Sequence, residues 1–306
     1  MTTPVAQTGA GDVTVSMTSL SSTLTGNKPS TVADGDLLVA CPFSHKAAGT
    51  WSTVPSGWTQ QGPSENAHGT CAVFTKPIPS AAGESATSYS WVNSAGADRG
   101  GIIICRVTGA DLAAPLDIAG TWITSGATSI VTPGLTPNYA NSLLLGFWQA
   151  SNATSTASAI STPTGMTLVG SGSVTPTASS AISIAQQPLG AAGIATGNRA
   201  PSLSPSATAS SGLLIAIAGP PQDSAALSAT ATLTATAGIG AAARASLAAN
   251  SVLTASAVQA QFASAALTAT ATLSASPAAK PCNVLLADGT WAPIDPQILT
   301  GSGWQT

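Results

Sequence analysis

Charge is what this sequence has least of. Only 6% of its 306 residues are Asp, Glu, Lys or Arg, where an ordinary soluble domain carries about a quarter. With eight Lys and Arg and a formal net charge of -3, the chain has no basic patch to neutralise phosphates. That excludes a nucleic-acid binder of the usual electrostatic kind. Polar disorder needs high charge and few apolar residues, whereas 44% of this chain is hydrophobic, much of it Ala. Long hydrophobic runs are also missing. The apolar stretches at 142–148 and 212–218 stop far short of the roughly 20 residues of a membrane helix, so no membrane insertion is expected. The N-terminus, Met1-Thr2-Thr3-Pro4-Val5, has neither a basic nor an apolar leader segment, and no signal peptide is expected.

The chemistry inventory is equally thin. Four cysteines, Cys41, Cys71, Cys105 and Cys282, form no CxxC, and neither a metal nor a cofactor is expected. Cys41 and Cys105 end apolar runs and read as small buried thiols on strands. A Cys41–Cys105 disulfide is the alternative in an oxidising compartment. The two histidines, His45 and His68, read as solvated loop residues. A glycosidase would need two opposed carboxylates, and nothing singles out a pair from Glu65, Glu84 and the aspartates. No nucleophile elbow, phosphate loop, dinucleotide fingerprint or zinc-protease helix is present, and no enzyme is expected.

What is present is β-sequence. Up to residue 219, apolar runs of four to seven residues recur between clusters of Gly, Pro, Asn, Asp and Ser, the pattern of short strands and turns. The clearest lie at 13–17, 37–41, 70–75, 89–92, 101–107, 143–148, 166–169, 182–185 and 213–218. Runs apolar at every position, such as 102–104, imply strands covered on both faces. The expected fold is all-β, a jelly-roll-like β-sandwich head.

This head carries an internal echo. Gly35-Asp36-Leu37-Leu38 returns as Asn141-Ser142-Leu143-Leu144, and Pro55-Ser56-Gly57-Trp58-Thr59 as Pro163-Thr164-Gly165-Met166-Thr167. Lys76-Pro77-Ile78 returns as Gln187-Pro188-Leu189, and Gly101-Ile102-Ile103-Ile104 as Gly212-Leu213-Leu214-Ile215. The offsets are 106, 108, 111 and 111. A duplicated strand pattern is expected, giving either two halves of one sandwich or two small sandwiches packed together.

After Gly219-Pro220-Pro221 the character changes, and residues 220–279 repeat every 20 residues, the mark of a repeating architecture. Ala225-Ala226-Leu227 through Leu233-Thr234-Ala235 returns at 245–255 and again at 265–275. Leu227, Ala229, Ala231 and Leu233 are two residues apart, so a strand places them on one face and the Ser and Thr on the other. A helix is the competing reading, and alternating Thr weakens it. Two Leu per copy bury too little to offset an ordering cost of roughly 1–2 kcal/mol per residue. The expectation is a β-rich self-associating stalk, a homotrimer, with Leu227, Leu233, Leu247, Leu253, Leu267 and Leu273 as the chain–chain contact. The closing residues 280–306, with Asp288-Gly289 between Leu285-Leu286 and Trp291, read as a hairpin or docking tail.

Seven tryptophans stand against two tyrosines. Trp51 and Trp58 bracket a Pro-containing loop and could offer a stacking platform for a sugar ring. The preferred reading is that they plug the sandwich core or its ends. Asn152-Ala153-Thr154 matches the glycosylation sequon.

The strings Gly35-Asp36-Leu37-Leu38-Val39, Pro55-Ser56-Gly57-Trp58-Thr59, Tyr89-Ser90-Trp91 and Gly101 to Asp111 resemble a β-sandwich module of tailed-phage virion proteins and some bacterial surface proteins. With the Ala/Thr/Leu repeats and Asp288-Gly289-Thr290-Trp291, the chain is similar to minor tail proteins of phages that infect high-GC Gram-positive bacteria. The resemblance implies a non-enzymatic structural protein of the virion, assembled in the host cytoplasm and placed at the tail tip or in a fibre. Its partners would be further copies of itself, other virion proteins and host cell-wall glycan. A capsid decoration protein and a carbohydrate-binding surface module are the alternatives. No catalytic residue is carried across.

Overall fold

The computed structural model describes residues 3–125, 128–175 and 178–220, together with the backbone of two short strands at 283–285 and 291–293. The chain divides into two compact units, Met1–Ala229 and Thr230–Thr306. Among the described residues there is no helix, and the all-β expectation holds.

The first half of the N-terminal unit supplies β1 (Val5–Ala6), β2 (Val13–Ser21), β3 (Thr23–Asn27), β4 (Asp36–Ser44), β5 (Trp51–Thr53), β6 (Thr59–Glu65), β7 (Thr70–Ile78), β8 (Ser88–Asn93) and β9 (Asp98–Thr108). The second half supplies β10 (Leu116–Ala119), β11 (Ile123–Ser125), β12 (Leu143–Asn152), β13 (Ala159–Ile160), β14 (Thr167–Val174), β15 (Ser179–Pro188), β16 (Leu203–Ser204) and β17 (Ala209–Ile217). Each of the nine apolar runs of the sequence falls on a strand, with Met166 one residue ahead of β14 and Ala218 one residue past β17. The polar strands β3 and β6 were not legible as such, because Thr-Leu-Thr-Gly-Asn and Thr-Gln-Gln-Gly-Pro-Ser-Glu carry no apolar alternation.

Two six-stranded antiparallel sheets dominate, and they share one plan. In the first, β9 lies between β4 and the pair β1 and β2, and the order continues β4-β7-β6. In the second, β17 lies between β12 and the pair β10 and β11, and the order continues β12-β15-β14. The registers coincide too. Leu37 pairs with Pro77 on β7 and with Val107 on β9, while Leu143 pairs with Pro188 on β15 and with Ile217 on β17.

Turns repeat along with strands. The Trp58 amide donates to the Pro55 carbonyl at 3.2 Å, and the Met166 amide donates to the Pro163 carbonyl at 3.1 Å. Each turn has a glycine at φ +80, Gly57 and Gly165, as a type II turn requires at its third position. One offset needs correcting. Ile103, Cys105 and Val107 of β9 face the same core as Leu213, Ile215 and Ile217 of β17, which fixes the spacing at 110. An offset of 111 would slip the strand by one residue and exchange its two faces.

The two large sheets pack face to face. Their shared core includes Leu37, Val39, Phe43, Val73, Ile103 and Val107 from one side and Leu143, Leu145, Phe147, Ile184, Leu213 and Ile217 from the other. The strands cross over in pairs, with β2 and β9 against β14 and β15, and β6 against β10. Each outer face is capped separately. The sheet β3-β8-β5 closes a core of Leu38, Phe74, Trp91, Ile102 and Ile104. The short pair β13-β16 and the loops around it close a core of Ile130, Leu135, Leu144, Trp148 and Leu214. The central strands β4, β9, β12 and β17 are therefore covered on both faces, which is why they read as continuous apolar runs.

The C-terminal strands β18 (Asn283–Leu285) and β19 (Trp291–Pro293) pair antiparallel, Leu285 opposite Trp291. The Asp288-Gly289 turn between them lies outside the described residues, as do the repeats and Leu227, Leu233, Leu247, Leu253, Leu267 and Leu273.

Candidate functional site

Leu112–Leu116 carry the chain from β9 to β10 and form one wall of a cleft of about 330 Å³. Asp111 fixes this linker. Its carboxylate accepts from the amides of Ala113 and Ala114, at 2.9 and 3.3 Å, and its own amide donates to the Ala218 carbonyl at 2.9 Å. The other wall is Thr59, Gln61, Thr75 and Pro77 of β6 and β7. Gln61 donates from Nε2 to the Thr75 hydroxyl at 2.7 Å, and both residues are buried.

The duplication explains the cleft. In the second half, the position of Thr75 is taken by Gln186, since Thr59 pairs with Thr75 and Thr167 with Gln186. The longer side chain bridges to β1, where Gln186 Oε1 accepts from the Ala6 amide at 2.8 Å and Nε2 donates to the Ala6 carbonyl at 2.6 Å. Thr75 is too short for that reach, and the matching seam stays open. The cleft lining carries hydroxyl, amide, Leu, Ala and Pro groups and no ionisable acid or base.

The titratable groups sit elsewhere, and several are engaged in structure. Arg106 donates from Nε to Asp36 at 2.6 Å and from Nη1 to Asp12 at 3.2 Å. The Thr31 hydroxyl, which donates to Asp12, and the neighbouring Arg106 hold the Asp12 carboxyl below its usual range. This network ties β9 to β4 and to the loop before β2, and the sequence reading missed it because its members are far apart in the chain.

His45, expected as a solvated loop residue, is half-buried. Its Nε2 accepts from Arg99 Nη2 at 3.0 Å, so Nδ1 carries the proton and faces Asp98 at 3.3 Å. Burial first, and then Arg99, push its pKa down. Glu65 is 3% exposed and accepts from the amides of Ala67 and His68, both at 2.8 Å. Burial pushes its carboxyl up. Glu84 instead pairs with Lys76 at 2.5 Å. Each glutamate is taken up by its own local structure.

The sugar-platform reading of the tryptophans needs correction at Trp58. That side chain is 7% exposed, packed edge-on against Tyr89 and Trp91 with ring centroids 5.0 and 5.1 Å apart. It plugs the core beneath the cap sheet, because the turn after Pro55 folds it inward, and it presents no face to a ligand. Trp51 is half-buried and packs against the same cluster.

Cys41, Cys71 and Cys105 are buried free thiols on the shared core, and no Cys41–Cys105 disulfide forms. Burial pushes the Cys105 thiol up to about 12. Asn152 of the sequon is buried, and its Nδ2 donates to Thr156 and Ser158. Among the described residues no group of three His, Cys, Asp or Glu could hold a metal ion, and no helix is long and apolar enough to cross a membrane. No known protein family, no curated protein and no solved structure matches this chain.

Proposed function

We propose that the chain is a non-enzymatic structural component of a tailed-phage virion, a minor tail protein of the tip or fibre. In this reading, residues 1–219 form a rigid head, residues 220–279 form a homotrimeric stalk and residues 280–306 form a docking element. The observation that carries it is the 20-residue repeat at 225–275. Two Leu and a few Ala per copy bury too little alone to offset the ordering of the chain, a shortfall that further copies of the chain would make good and that a long partner surface could also meet. The head supports the same reading through its chemistry: the cleft is uncharged and the carboxylates are spent on structure. Of the alternatives, a sugar-binding module is weakened by the burial of Trp58.

The test is solution mass. The full chain should behave as a trimer, and a chain ending at residue 219 as a species of lower order. Replacing Leu233 and Leu253 by Asp in the full chain should break the trimer while the near-ultraviolet spectrum of the head stays unchanged. A mass unaffected by either change would overturn the stalk.

A further inference from the structure

The two halves share a fold but not a surface. Between residues 1 and 111 there are twelve charged side chains, and between 112 and 220 there are two, Asp117 and Arg199. Neither of the two is left free in solvent. Asp117 accepts from Asn138 and from the Ser142 hydroxyl, and Arg199 is bound to Gln187. Because topology and register are the same in both halves, folding does not demand the difference. A protein surface kept in water normally carries both signs of charge, so the second half has the composition of a surface that is covered in use.

Its edge strand shows where. The edges β6 and β14 are counterparts, each paired on one side only, with β7 and β15 respectively. On β6 the outer side is closed. Pro63 lacks an amide hydrogen, its carbonyl accepts from the Trp122 indole at 2.9 Å, and the Gly62 carbonyl accepts from Gln60 Nε2 at 3.0 Å. Both edges carry a break in register, between Gln61 and Glu65 on β6 and between Leu168 and Gly170 on β14, so what sets β6 apart is its proline and its side-chain caps. These are the devices by which native sheets prevent further pairing. Strand β14, Thr-Leu-Val-Gly-Ser-Gly-Ser-Val, has no proline and no charge, and among the described residues no side chain caps its outer carbonyls. Leu168, on this strand, is 42% exposed.

We infer that β14 is a self-association edge, on which β14 of a second copy of this chain adds in antiparallel register and joins two six-stranded sheets into one. A second copy is the occupant that suits an uncharged strand of Ser, Gly, Thr and Val. A neutral edge offers nothing to a charged partner, and a twofold axis near Ser171 sets like residues against like at no electrostatic cost. This contact lies on the head and is independent of the stalk proposed above.

Self-disulfide formation tests it. In an antiparallel pair the residue on the twofold axis faces its own copy, within the span a disulfide bridges. In the full chain with Cys282→Ser, the remaining native thiols are buried. Ser171→Cys should then give a covalent dimer joined Cys to Cys at position 171 on mild oxidation, and Ser64→Cys on the closed edge should give none. In a chain with native cysteines, Ser171→Lys should halve the mass of any species larger than the trimer. Adding Leu233→Asp should dismantle the stalk and leave the position-171 dimer. No dimer from Ser171→Cys, an equal yield from Ser64→Cys, or loss of the dimer with Leu233→Asp would each overturn the inference.

Discussion

Gly62 and Gly170 occupy the same place in the two halves, and each lets an edge strand lie against the opposite half. A Cβ on Gly170 would sit 2.8 Å from Val13 Cγ1, and one on Gly62 would sit 2.8 Å from Ala119 Cβ. Val13 pairs with Cys105 on β9 and Ala119 with Ile215 on β17, so the two contacts are one contact made twice. Gly62 has a second constraint, a φ of +76.

Gly170→Ala should therefore destabilise by about 1–3 kcal/mol, the cost of overpacking a filled interior. Gly62→Ala should cost more, since a side chain at positive φ adds its own strain. Urea denaturation of single and double variants checks this. Val13→Ala combined with Gly170→Ala should recover much of the loss, giving a coupling energy well outside the error of additivity. Ala119→Gly should recover only the packing share of the Gly62 defect. Equal, additive losses at both positions would show that the seam does not depend on these approaches.

Much of the head was legible before any coordinates. Central strands such as 102–104 and 143–148 announce themselves because they are covered on both faces, and the Pro-x-Gly turns announce themselves because a positive φ needs glycine. The duplication was legible for the same reasons. What stayed hidden depends on distance along the chain. Gln186 and Ala6 are 180 residues apart, and the Arg106 carboxylate network spans 94. Spacing reports local periodicity and carries no trace of such pairs. Trp58 plugs the core, one of the two readings its sequence offered; composition alone could not exclude the platform, because a rim loop and an inward-folding turn have the same composition.

Gln186→Leu should separate the two seams. The substitution keeps bulk but leaves the buried Ala6 amide and carbonyl unpaired by the side chain, a loss of about 1–3 kcal/mol. The amide of Ala6 should exchange with deuterium markedly faster, while amides on β12 and β17 change little, as expected of local opening. Thr75→Gln tests the converse. The longer side chain should enter the cleft beside Leu116 and leave stability unchanged or improved. Unaltered Ala6 exchange in Gln186→Leu would mean that β1 is held by β9 alone.

Trp58→Ala should destabilise the head by about 3–5 kcal/mol, as expected of a large buried aromatic. Its aromatic neighbours would lose edge-on contacts along with buried area. Thermal unfolding checks this, and Trp51→Ala, at a half-buried site, should cost clearly less. A folded, fully stable Trp58→Ala protein would return Trp58 to the list of surface residues.

Acid and neutral stability should be set by different carboxylates. The Asp12 carboxyl is held below its usual range in the folded chain, first by the Thr31 hydroxyl and then by Arg106. Its contribution is complete above the unfolded carboxylate range and is lost as pH falls through the folded value. Glu65 runs the other way. Burial raises its pKa, so the unfolded chain gives up its proton first as pH rises, and stability declines from the ordinary carboxylate range up to the raised folded value. Urea midpoints measured between pH 2 and 8 should therefore show a steeper acid limb in the native sequence than in Asp12→Asn. Glu65→Gln should remove the decline toward neutral pH and match or exceed the native midpoint at pH 7. A Glu65→Gln protein that keeps the full decline would place its origin in a group other than Glu65, and His45 is not that group. The sign distinguishes it. A histidine whose pKa is lowered by burial and by Arg99 makes stability rise with pH, through the window between its folded value and the ordinary histidine value, and cannot produce a fall.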